Sequence, residues 1–252
     1  MRNTMSYMRL KFCLVMGCLM ASGCSFDGII PPTIAHVHIG HSITGWHDAP
    51  RGQGLLVIAE LSSISALSSS ELMTQSLKAN ELKNARKHLT QIVSEVEPEL
   101  LNTGKKTKYN LRRATAESIT HLKLASQVYD ASTNVQRTVA RTTVKAQRIV
   151  EKIDELTVYL EAGIGAEDTA EFKIIAEEID SILKQIAGGP DLPDNYGLFD
   201  YRNDIESMIA MEDPPYRTVD KWFLFNLVKL PNGEWGFRDP TQTDSRGGGG
   251  YN

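Results

Sequence analysis

Beyond residue 24 this 252-residue chain contains no cysteine; its three, Cys13, Cys18 and Cys24, all lie near the start. Residues 25–252 can therefore form no disulfide among themselves. They also lack the ligands of a thiolate zinc finger, the Cys-x-x-Cys-His site of c-type haem, a thioredoxin-like dithiol and a cysteine nucleophile. Stability must come from packing, for which the chain is long enough. Other signatures are missing too. There is no Gly-x-Ser-x-Gly elbow, no Ser-His-Asp grouping and no glycine-rich phosphate loop. The net charge is only −4, and no aromatic-interleaved basic strand or recognition helix is present, which argues against nucleic acid as a partner.

What is present first is a leader. Arg2, Arg9 and Lys11 precede an apolar run from Phe12 to Ala21, which closes on Ala21-Ser22-Gly23-Cys24. A basic segment, a short apolar segment and small residues form an export signal, and the run is too short to stay in a bilayer as a spanning helix. Ala21-Ser22-Gly23-Cys24 resembles the lipobox of bacterial lipoproteins, with Ala21 where leucine is commonest. The resemblance implies cleavage of residues 1–23, acylation of Cys24 with palmitate-type chains, and attachment to a membrane through those chains, each buried methylene contributing about 0.8 kcal/mol. Ser25, rather than aspartate, follows the cysteine. By the same resemblance this implies sorting to the outer membrane, facing the periplasm. No spanning helix is expected in the mature chain.

The middle of the chain reads as helix. Leu82, Ala85, Leu89, Ile92 and Val96 recur at steps of three and four, and Pro98 should end that helix. A second stripe runs through Leu111, Ala114, Ser118, Leu122, Ala125 and Tyr129, after a polar loop from Asn102 to Lys106. The third, Val135, Val139, Thr142, Ala146, Ile149, Ile153, Leu156 and Leu160, is nearly heptad, with Asp130 or Ser132 as its N-cap and Gly163 and Gly165 as its stop. The fourth carries Phe172, Ile175, Ile179, Ile182 and Ile186 and ends at Gly188-Gly189-Pro190. Stripes of this kind can be buried only against one another, so the expected fold is all-α: an up-and-down antiparallel bundle of four to five helices over residues 55–188. Residues 55–77 should add a helix or two, broken at Ser68-Ser69-Ser70.

The ends differ. Residues 24–54, rich in Gly, Pro and His, read as an extended arm. Residues 189–252 read as a Pro/Gly-rich tail with a short helix over Asn203–Met211 and a β-hairpin around Pro231-Asn232-Gly233. Charge is divided as well. Lys78 to Arg148 holds 14 Lys or Arg against 6 Asp or Glu, while Glu151 to Glu212 holds 4 against 16. These faces either neutralise one another inside the bundle, or leave a basic surface around Lys105, Lys106, Lys108, Arg112 and Arg113 for an anionic lipid or an acidic envelope protein.

Chemistry concentrates in histidine. His36, His38, His41 and His47 crowd into twelve residues. In an extended segment His36 and His38 share a face, and Gly40 and Gly45 allow His41 or His47 to fold back, a donor set suited to zinc or copper. Alternatively, Val37, Ile39 and Ile43 dock the segment while the imidazoles only hydrogen-bond at its rim. Ala35–Gly40 also resembles the His-x-His of metal-dependent amidohydrolases, but the helical pattern that follows leaves no room for their β/α barrel. His88 and His121, one on each of two neighbouring helices, form a second candidate pair for a metal or, less readily, a b-type haem. The reading is a lipid-anchored protein that acts by binding rather than catalysis. Two alternatives stay open: a metal- or haem-dependent electron-transfer protein, and a structural envelope component.

Overall fold

The structure, a computed structural model, describes residues 33–45, 52–101, 109–189, 196–213 and 215–216, with the backbone of 227–229 and 235–237. Cys24, His47, Lys105, Lys106, Lys108 and the aromatic residues Trp222, Phe223 and Phe225 lie outside the described residues.

The fold is all-α. Helices α1 (Ile34–Ile43), α2 (Leu55–Lys78), α3 (Leu82–Val96), α4 (Leu111–Gln127), α5 (Thr133–Gly165), α6 (Thr169–Ala187) and α7 (Leu198–Ala210) follow one another, with a 3₁₀ turn at Pro98–Leu101 after α3. Helices α2, α4, α5 and α6 close a ring in which each packs on two of the others; α3 lies against α2, α1 against α4, and α7 against α5. The short α2–α3, α4–α5 and α5–α6 connections turn each helix back on its predecessor. In the tail, strands β1 (Leu227–Lys229) and β2 (Trp235–Phe237) pair antiparallel, with Leu227 opposite Phe237.

The helices begin where side chains can satisfy orphaned amides. Asn110 accepts from the Arg113 amide at 2.8 Å, Ser132 from Val135 at 3.1 Å and Asp168 from Glu171 at 3.2 Å. Every residue of the expected α5 stripe is buried, as are the expected α3 residues Ala85, Leu89, Ile92 and Val96 and the α6 residues Phe172, Ile175, Ile179, Ile182 and Ile186. Where α6 ends, Gly188 takes a positive φ of 74°, and a Cβ there would lie 2.7 Å from Gly197 Cα. The entry to α7 crosses the end of α6 backbone on backbone, which only glycine permits.

Four expectations are corrected. First, residues 34–43 are not an extended arm but helix α1, buried along most of its length. Second, Ser68-Ser69-Ser70 does not break α2, which runs unbroken through 24 residues. Its small Ser62, Ser63 and Ser70 are buried, and Ser70 Oγ donates to Asp180 at 3.0 Å on α6. Serine's cost in an isolated helix is repaid by close packing of neighbours. Third, the tail helix starts earlier, at Leu198 rather than Asn203, while residues 55–188 hold five α-helices, α2 to α6, as expected. Fourth, Tyr129 is 87 % exposed because α4 stops at Gln127. One described helix, α2, is long and apolar enough to cross a membrane by length and composition. Its Leu55, Leu56, Ala59 and Met73 are spent inside the bundle core.

Candidate metal centre

Helix α1 is short, and three of its ten residues are histidines. A helix of that length is marginal by itself, so its form depends on what it docks against. Its first amides are all satisfied. Ile34 N and Ala35 N donate to the Asp130 carboxylate at 2.6 and 3.2 Å, and His36 N donates to Thr33 Oγ1 at 3.0 Å. Asp130, expected at the head of α5, thus serves α1 instead, and Ser132 caps α5. Near the other end, Ser42 Oγ donates to the Ser118 carbonyl at 3.0 Å. Asp130 with Ile34 and Ser118 with Ser42 place α1 antiparallel to α4 in a defined register.

That register sets His38 and His41, three residues apart and so on one helical face, opposite His121 of α4. His38 Nδ1 and His121 Nδ1 lie 3.1 Å apart. The His41 and His121 rings meet edge to face with centroids 4.8 Å apart. One ligating nitrogen from each of the three falls within 4.8 Å of the others. Zinc bonded to two imidazoles at about 2.0–2.1 Å holds their nitrogens about 3.3 Å apart. The His38–His121 pair is thus already near the spacing a metal needs, and the longest separation must close by about 1.5 Å, within reach of side-chain rotation.

The electrostatics suit ligands. Burial lowers the pKa of His38 below its ordinary value, with Asp130 opposing. Burial, and next the His38 imidazole, lower His121 to about 4, with Glu117 opposing. Both rings are therefore neutral at pH 7, the form that binds metal. Imidazole donors alone favour borderline metals such as zinc and copper.

His36 is not part of this group. Helical rather than extended geometry turns it to the opposite face, where its Nε2 lies 3.9 Å from Glu212 in a pair whose side chains are 3 % and 2 % exposed. Asn134 donates to the second Glu212 oxygen and to the Met208 carbonyl, both at 2.9 Å. Tyr216 lies edge-on to His36 and meets Thr44 Oγ1 at 3.2 Å. His88, expected to face His121, instead meets Gln91 of its own helix at 2.9 Å and is not a member of the cluster. The expected sets {36, 38, 41, 47} and {88, 121} are thus regrouped: His38, His41 and His121 come together, and His36 and His88 do not join them. The signal for the right set was the i, i+3 spacing of His38 and His41, which reads as one face only once the segment is known to be helical.

The charge division is partly neutralised within the bundle. Arg112 bridges Glu97 at 3.0 Å and Asp154 at 2.8 Å, Lys145 pairs with Asp204 at 2.6 Å, and Arg202 of the acidic stretch pairs with Glu60. Arg113 pairs with Glu117 one turn along α4 at 2.8 Å. No protein-family model, curated protein or solved structure matches this chain.

Proposed function

We propose that the chain is a lipid-anchored envelope protein whose helical bundle binds one zinc or copper ion through His38, His41 and His121. The observation that carries the metal reading is the convergence of three imidazoles from two helices within 4.8 Å. The anchor reading rests on the basic and apolar leader and on Ala21-Ser22-Gly23-Cys24. With Ser25 next, it puts the bundle on the periplasmic side of the outer membrane, where all-nitrogen donor sets suit a chain without further thiols. Binding rather than turnover is the role, with an envelope protein or anionic lipid as the macromolecular partner. The b-type haem alternative draws less support, because the group around His121 is completed by His38 and His41 rather than by His88.

The test is calorimetric titration of zinc and copper into the mature protein, purified without a histidine tag. About one ion should bind per chain. His121→Ala and His38→Ala should each remove binding, whereas His88→Ala should leave it unchanged and His36→Ala should still take up one ion per chain. Absence of saturable binding by the wild type, or undiminished binding by His121→Ala, rejects the centre.

A further inference from the structure

Every face of α1 is held by a different part of the chain. Asp130, from the α4–α5 connection, holds its N-terminus. Ser118 and His121 of α4 meet Ser42 and His38 on one side. Glu212 and Tyr216, beyond α7, meet His36 and Thr44 on the other. Ala35, Val37 and Ile39 are buried and Ile43 packs against the core, although of the largest fully buried side chains only Ile39 belongs to this helix. A helix of ten residues, three of them histidine and one glycine, has little cause to stay helical once undocked. Its docking therefore combines these apolar contacts with the polar ones, and among the latter the three-histidine cluster is one that a metal ion can strengthen.

We infer that the metal operates α1 as a latch, its occupancy at His38, His41 and His121 setting the fraction of chains in which α1 is seated between α4 and the Glu212–Tyr216 segment. The inference rests on the metal reading above. The site exists only when α1 is seated, because two ligands come from α1 and one from α4. The ion therefore binds the seated state alone, and at a hundred times its dissociation constant it lowers the unseated population about 100-fold. Linkage makes the effect reciprocal: a far-side substitution that unseats α1 in most chains weakens metal binding in proportion, although no ligand is touched.

The latch has a consequence for a chain tethered at Cys24. With α1 seated, about ten residues separate the lipid from the bundle, a reach of at most about 35 Å. With α1 released the leash extends to Leu55, about 31 residues and at most about 110 Å. Metal would then decide how far from the membrane the bundle can work.

Hydrogen exchange of the full mature chain, with and without zinc, tests the latch. Amides of residues 34–43 should exchange up to about 100-fold more slowly at saturating zinc, and those of α5 around Ile149 should be unchanged. Glu212→Gln and Tyr216→Phe, on the face away from the ligands, should weaken zinc binding severalfold in calorimetry while leaving the helix content intact. If zinc binds but exchange in 34–43 does not change, or if both far-side variants bind zinc as tightly as the wild type, the latch is wrong and the metal centre stands. If zinc does not bind at all, the metal centre and the latch fall together.

Discussion

His38 Nδ1 and His121 Nδ1, on helices 83 residues apart in sequence, face each other at 3.1 Å, so without a metal the pair shares a single proton between two nitrogens. Burial is the main reason that His121 is lowered to about 4, and the His38 imidazole adds to it, since protonating both rings would set two half-buried positive charges in contact.

The first prediction follows from the sign of that shift. In the unfolded chain these histidines take up protons at about pH 6.5, while folded His121 waits until about 4. Between those values the unfolded state holds more protons than the native state, so metal-free protein should be most stable above pH 6.5 and lose stability as pH falls towards 4. His121→Gln should flatten that part of the curve. Urea denaturation across pH 4–8 checks it, and identical curves for the two proteins would contradict the pair.

The second concerns the α5 seam. Ile149 is 2 % exposed, and Ile149→Asp leaves a carboxylate buried with no partner, at a cost of about 4 kcal/mol. Gln147, two residues away, is exposed, and Gln147→Asp should change stability by under about 0.5 kcal/mol. Thermal unfolding of the two variants measures the difference, and equal shifts would refute the helix facing.

A third lies at the α6–α7 crossing. Gly197→Ala drives a methyl group into the Gly188 backbone and should destabilise by about 2 kcal/mol or more. At Gly165, the last residue of α5, nothing stands within 4 Å of an added Cβ. Gly165→Ala should be neutral or stabilise by up to about 1 kcal/mol. Chemical denaturation midpoints decide between a true backbone contact and an ordinary loop.

A fourth addresses the anchor. Cells given an alkyne fatty acid should label the wild-type protein at Cys24, and Cys24→Ser should abolish the label and leave either precursor or soluble protein. A wild-type chain that takes up no label and whose mature N-terminus is not Cys24 would exclude acylation.

The sequence by itself determined the α3, α5 and α6 seams and the core faces of most of the bundle, because a helix that must bury one side writes its apolar residues at steps of three and four. It also singled out histidine as the candidate metal-binding residue, there being no thiol after Cys24. It could not determine that α1 is a helix. Ile34–Ile43 carries no clean apolar stripe, and its helical form depends on Asp130 accepting its first amides and on burial against α4. The tertiary structure alone decided which histidines meet. Extended geometry would pair His36 with His38, whereas a helix turns them to opposite faces and sets His38 with His41. It takes the antiparallel register of α1 on α4 to bring His121, eighty residues further along the chain than His41, into the same few ångströms. Spacing along one element is local and legible; contact between elements is set by packing and cannot be counted off in residues.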